Sequence, residues 1–252
     1  MRIAHLLSLA SLACALSQPL AAPAQQITVS AAASLTDAFK ELAPKFEAAR
    51  PGATVRFNFV ASGVLLQQID QGAPVDVFAS ADQETMDRAA DRKLIAPGTR
   101  RNFAANSLVL VEPARGGTGI KTLQDLSGPA VQRIAVGKTA TVPVGRYTRQ
   151  VLESARLWTT LEPKFVQADS VRQVLDYVAR GEADAGFVYR TDARIMGDKV
   201  KVVLEPSVAT PVSYPVAAVR DSPQPALAKA FIDFLGTDAA RQTLDKFGFG
   251  KP

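Results

Sequence analysis

The sequence predicts an α/β protein of two lobes with a cleft between them, and three observations point there. The 252 residues are 47% apolar and 21% charged, enough for one large or two modest cores and too apolar for disorder. From Ile27 onward, short β-type runs alternate with segments of helical spacing, the pattern of parallel strands joined by helical crossovers. Two long apolar runs, Asn106–Pro113 and Ser213–Asp221, are suited to carry the chain out of one lobe and back into it. They imply a discontinuous lobe of residues 25–105 plus 214–252 and a contiguous lobe of 106–213. A cleft between two such lobes is the expected binding site.

Residues 1–24 stand apart. Met1-Arg2 supplies a positive start, Ala4–Leu16 is apolar and Ala22-Pro23-Ala24 is a small-x-small site, so this stretch reads as a signal peptide cleaved near Ala24 and the chain as exported. The apolar part is shorter than the roughly 20 residues of a membrane helix. Cys14 does not fit a lipid-anchor box, because Ser11 rather than Leu stands three places before it.

Cleavage there removes Arg2, His5 and Cys14, which takes the 29 basic residues to 28 against 24 acidic ones, a net charge of +4. The remaining chain has no His and no Cys. That excludes disulfides, Cys or His zinc sites, Ser-His-Asp and Cys-His nucleophiles and an imidazole base. Enzymatic chemistry would fall to carboxylates, Lys, Tyr or an oxygen-ligated metal. The basic residues are scattered, with Arg100-Arg101 the nearest approach to a run, so they describe a solvated surface rather than a nucleic-acid site.

Strands are expected at 27–31, 54–60, 75–79, 107–112, 133–136, 164–166, 185–188, 201–204 and 212–219. The informative places are four where a strand hands over to a helix. After the first strand comes Ser34-Leu35-Thr36-Asp37, a capping-box pattern, with Leu35, Phe39, Leu42 and Phe46 on one face. After the second comes Ala61-Ser62-Gly63, with Leu65, Leu66 and Ile69 behind it. Thr141-Val142-Pro143-Val144-Gly145 follows the strand at 133–136, and Ala168-Asp169-Ser170 precedes the stripe Val171, Val174, Leu175 and Val178. Helices at Gln224–Leu235 and Asp238–Lys246 close the chain and look structural.

Each helix start presents unpaired N–H groups and the positive end of a dipole, which together attract an anion without a formal charge. In open α/β folds ligands sit beyond the carboxyl ends of the strands, where these helices begin. Any one start read alone is an ordinary cap; four of them, with the hydroxyls of Ser34 and Ser62, could wrap a small oxyanion from both lobes. Tyr189 ends the apolar run Gly186-Phe187-Val188 at the same edge, where a packing tyrosine is the plainer reading.

The blocks Ala31-Ala32-Ala33-Ser34-Leu35-Thr36, Val60-Ala61-Ser62-Gly63, 72–82 (GAPVDVFASAD), 106–111 (NSLVLV), 142–147 (VPVGRY) and Gly186-Phe187-Val188-Tyr189 occur in order from Ile27 to Phe249. Together they resemble the periplasmic molybdate-binding proteins of molybdate ABC transporters. The resemblance implies a two-lobed periplasmic binding fold of type II, each lobe a mixed sheet flanked by helices. It implies a non-enzymatic protein without a cofactor, which captures molybdate or tungstate and passes it to a membrane permease with an ATPase subunit. It implies a monomer that binds neither nucleic acid nor a directly ligated metal. Carried over block by block, the anion is held by the hydroxyls and N–H groups of Ser34 and Ser62, the N–H groups of Val144 and Val171, and the hydroxyl of Tyr189. Val144 stands where alanine is common in that family. Asp169 should turn away from a dianion and cap its helix.

Rival readings keep the fold and change the cargo to sulfate, phosphate or a small carboxylate; Arg146 and Arg172, one residue beyond proposed donors, are where a carboxylate would be met. A carboxylate-based hydrolase would draw on Asp76, Asp82 or Asp192. Gly137-Lys138-Thr139 imitates the end of a phosphate loop, but Gln132 occupies the position where that motif needs its first glycine. Trp158, the only tryptophan, reads as lobe packing.

Overall fold

The computed structural model describes residues 25–252, and the expected signal peptide lies outside the described residues. β1 (Gln25–Ala32) alternates buried Ile27, Val29 and Ala31 into the core, then passes through a tight turn at Ala33–Leu35 into α1 (Thr36–Ala49). Phe39, Leu42 and Phe46 lie on one face of α1, as the 3.6-residue period requires, and Phe39 packs between Phe57, Phe103 and Phe231. β2 (Ala53–Val60) pairs in parallel with β1 along its whole length, and α2 (Ser62–Asp70) follows.

The third strand, β3 (Val77–Ala79), is shorter than the expected 75–79. Just before it, the Asp76 carboxylate accepts from the Thr28 N–H at 2.7 Å and the Ser222 hydroxyl at 2.5 Å. α3 (Gln83–Asp91), capped by Asp82, and β4 (Arg101–Asn106) complete this part of the chain; neither was anticipated.

The apolar run expected as one strand over 106–113 is two strands in two sheets. β4 ends at Asn106, the chain turns at Ser107, and β5 (Leu108–Pro113) begins the second sheet. There follow β6 (Ile134–Gly137), α4 (Pro143–Ser154), the short α5 (Trp158–Leu161), β7 (Phe165–Ala168), α6 (Val171–Ala179), β8 (Ala185–Tyr189), α7 (Arg190–Ile195) and β9 (Val200–Leu204). Residues 205–211 return the chain to β10 (Val212–Ala218), and α8 (Pro225–Leu235) and α9 (Asp238–Phe247) finish it. Val212 and Ser213 pair with Asn106 and Ala105 inside the first sheet.

The two sheets share one plan. The first has the order β2-β1-β3-β10-β4 and the second β7-β6-β8-β5-β9. In each, three parallel strands are extended by an antiparallel strand, β10 or β5, that reverses the ladder. Buried side chains from both sheets join in one apolar cluster that runs from Ile27 and Phe39 through Val109 and Val136 to Phe231. No described helix is long and apolar enough to cross a membrane.

Candidate ligand-binding cavity

The carboxyl ends of β1, β2, β6 and β7 all point at the place where the sheets meet. Their helices therefore start around one small cavity, walled by Ser34, Ser62, Val144, Val171 and Tyr189 together with small or apolar neighbours such as Ala61 and Pro143. All five residues singled out from the sequence are buried there, and no side chain of the wall carries a charge.

The serines do not do what their spacing suggests. Ser34 lies inside the turn before α1, whose N-cap is Leu35 with no side-chain bond, so the expected capping box is absent. Its hydroxyl instead lies 3.0 Å from the hydroxyl of Tyr214. Ser62 is the first residue of α2, and its hydroxyl oxygen accepts from the Ala81 N–H at 3.0 Å. Asp169 does turn outward, 72% exposed and 2.5 Å from Lys138 Nζ, but the cap of α6 is Ser170, whose hydroxyl accepts from the Gln173 N–H.

Backbone donors converge with these hydroxyls. Ser62 and Val171 open their helices and Val144 is the second residue of α4, so their N–H groups precede any intrahelical carbonyl. Among the described residues, none of these three, nor the Ser34 N–H, meets another acceptor. The hydroxyl of Tyr189, 1% exposed, is likewise buried without a partner. A buried hydroxyl left unpaired is costly, by about 1–3 kcal/mol, which makes it a group shaped for something that enters. Burial, first of all, raises the pKa of Tyr189 and of Tyr214 well above 10, so both phenols keep their protons.

Glycines permit two close backbone approaches, one between the two halves and one within the second. Gly63 donates its N–H to the Thr141 carbonyl at 2.9 Å, and a Cβ there would lie 2.7 Å from the Thr141 Cα and O. Gly145 brings the start of α4 against the Gly137 carbonyl at the end of β6, where a side chain has no room.

Charged groups gather beside the cavity rather than in it. Arg146 on α4 reaches across to Asp82, with Nη2 at 2.5 Å and Nε at 2.8 Å from Oδ2, and donates to the Thr85 hydroxyl at 2.7 Å. Arg172 on α6 pairs with Asp192 at 2.7 Å and lies 2.7 Å from Asp37 on α1, an ion pair without hydrogen-bond alignment. Burial works against the Arg172 charge, yet Asp192 and Asp37 hold its pKa above the usual guanidinium value. Asp192, fully buried, is pushed by desolvation from 3.8 to about 6 despite Arg172. Both arginines are thus occupied by carboxylates of the chain itself, which removes the feature that favoured a carboxylic ligand. The three acids of the hydrolase reading serve as a strand-end lock (Asp76), a cap and latch (Asp82) and an ion-pair partner (Asp192). Trp158 packs on Phe165 with its ring centroid 4.7 Å away, outside the cavity wall. Among the described residues no group of three or more His, Cys, Asp or Glu could hold a metal ion.

Sequence reasoning missed Tyr214 and Asn106 as supports of the cavity and the pairing of Asp82 with Arg146 and of Asp37 with Arg172. Tyr214 sits in β10 with its ring 5.9 Å from that of Tyr189, and the signal that could have found it is the polar-tipped aromatic opening the returning strand.

Two sheets of one plan, closing over a small cavity lined by neutral donors, define a solute-binding protein of the two-lobed kind. The bacterial extracellular solute-binding protein model matches residues 27–250, and the chain belongs to that family. It is a binding protein, not an enzyme. It is 39% identical over 232 residues to the molybdate-binding protein ModA of Escherichia coli, covering 89% of this chain and 88% of that one. It is 36% identical to the putative ABC transporter substrate-binding lipoprotein YvgL of Bacillus subtilis, over 88% of this chain and 85% of that one. Among solved structures, the periplasmic molybdate-binding protein of Azotobacter vinelandii superposes with a TM-score of 0.78 at 25% identity, covering 90% of this chain and 99% of that one.

Proposed function

We propose that this chain captures molybdate, and tungstate with it, and delivers the anion to the permease and ATPase of an ABC transporter. The observation that carries the reading is the cavity wall: hydroxyl and N–H donors with no charged side chain and a buried, unpartnered Tyr189 hydroxyl. Ser34, Ser62, Val144, Val171 and Tyr189 are its ligands, through the oxygens of the anion. The names of the relatives from Escherichia coli and Azotobacter vinelandii support the choice of cargo.

The physics supports it as well. Hydrogen bonds to a charged acceptor contribute about 1.5–3 kcal/mol each, so some seven of them offset the desolvation of a dianion and leave a tight complex. A wall of donors disfavours an oxyanion that carries its own proton, because that O–H would meet N–H and O–H groups with nothing to accept it. So small a cavity suits a small inorganic ion and not a nucleotide or sugar.

In this reading the lobes are residues 25–106 with 212–252 and residues 107–211, hinged at Ser107 and over 205–211. The chain is exported with cleavage near Ala24, acts in the periplasm as a monomer and carries no cofactor. Calorimetric titration of the purified protein with molybdate, tungstate, sulfate and phosphate tests it. One-to-one binding of molybdate and tungstate, with sulfate weak and phosphate silent, is expected. Silence with all four would sink the oxyanion reading.

A further inference from the structure

We propose that Asn106 and Tyr214 are positioning residues that fix the proton order of the cavity, forcing the Ser34 hydroxyl to face its ligand as a donor. The inference rests on the oxyanion reading and deepens it by naming what makes the site selective for an anion that carries no proton.

The argument is one of hydrogen-bond supply. The Asn106 side-chain oxygen accepts the Ser107 N–H at 2.9 Å, which leaves the NH2 group to face the other way. Its two hydrogens meet two acceptors, the Thr191 hydroxyl at 2.9 Å and the Tyr214 hydroxyl oxygen at 3.2 Å. The Tyr214 oxygen is therefore already accepting. Its own proton has one acceptor within reach among the described residues, Ser34 Oγ at 3.0 Å, and Tyr214 is fully buried, so water does not substitute. Ser34 Oγ then accepts from Tyr214 and its remaining proton points to the cavity. Burial keeps Tyr214 protonated, so the order does not invert at any ordinary pH.

Ser62 obeys the same logic by a different route. Its oxygen accepts the Ala81 N–H at 3.0 Å, a donor that cannot reverse, and its proton is left for the cavity. Both serines, which in water donate and accept with equal ease, are thus held in the donating sense. The Asn106 amide also bridges β4 of the first sheet and Thr191 of α7 beside the second, so the order is complete when the two lobes are in the arrangement described.

The test is a double-mutant cycle on Ser34 and Tyr214, read by molybdate affinity and by competition with hydrogen arsenate, an oxyanion of similar shape that bears a proton. Tyr214→Phe keeps the ring and removes the relay. It is expected to weaken molybdate about fivefold or more in the parent and to have little effect once Ser34→Ala is present. Hydrogen arsenate should hold or gain affinity in Tyr214→Phe, since a released Ser34 hydroxyl can turn and accept its O–H. Equal losses in both Ser34 backgrounds, or an equal loss for both anions, overturn the proposal. Asn106→Ala, which frees Tyr214 to reverse, gives the same coupling to Ser34 and serves if Tyr214→Phe does not fold. A parent protein that binds no oxyanion would instead overturn the cargo reading, a separate result.

Discussion

At single residues, what distinguishes a ligand group from a cap is where its lone pairs and protons go. Ser34, Ser62 and Ser170 all stand at helix starts, yet only Ser170 accepts from its own helix, at Gln173. Ser34 and Ser62 turn to Tyr214 and Ala81 instead, which leaves both α1 and α2 without a side-chain cap. Removing either hydroxyl should therefore spare the helices. Ser62→Ala is expected to weaken molybdate by about 1–3 kcal/mol and, because the buried Ala81 N–H loses its acceptor, to lower the melting temperature of the empty protein as well; unchanged affinity by calorimetry would remove the hydroxyl from the site. Tyr189→Phe should weaken molybdate by a similar amount and leave stability equal or higher, because it deletes a buried hydroxyl that has no partner. Unchanged affinity by calorimetry would remove Tyr189 from the site.

At the level of elements, the spacing of apolar residues made the four helix starts visible, since a strand of buried side chains followed by a 3.6-residue stripe is a local pattern. It did not reveal β4, whose Arg101 and Asn102 are exposed and whose length of six residues blurs into the apolar run after it. Nor did it reveal that Gly63 is needed for close approach, which depends on Thr141, far away in sequence. Gly63→Ala places a methyl 2.7 Å from Thr141, a residue of the opposite sheet's connections. The variant should keep the stability of the empty protein and lose about tenfold in molybdate affinity, because the lobes can no longer meet; about 1.4 kcal/mol of strain suffices for that. Small-angle scattering that showed full compaction with molybdate, together with parental affinity, would contradict this.

Over the whole molecule, the two lobes are held together by groups that never enter the cavity. Arg146 with Asp82 and Thr85, and Arg172 with Asp37, are part-buried ties across the cleft. Asp192, which also pairs with Arg172, is the group through which pH acts on the second tie. Its pKa rises from 3.8 to about 6, first through burial, so between those values the folded chain holds a proton that the unfolded chain has lost. Stability contributed at this residue is greatest below pH 4, falls as pH rises through that window and is lowest above 6. Asp192→Asn removes the burden of a buried charge, so its melting temperature relative to the parent should climb by a few degrees from pH 4.5 to 7.5, at ~2–4 °C per kcal/mol. A difference between the two proteins that does not vary with pH would refute the assignment.

The sequence by itself determined the α/β class, the handover points and the exclusion of His and Cys chemistry, because these depend on composition and on periods of two and 3.6 residues. It also held, in ordered blocks, the resemblance that named the five cavity residues. Only the tertiary structure decided that Ser34 is no cap, that Tyr214 and Asn106 stand behind it, and that both arginines are claimed by the chain's own acids. Those facts join residues as far apart as 34 and 214 or 82 and 146, and no local pattern records which donor meets which acceptor once two sheets close on each other.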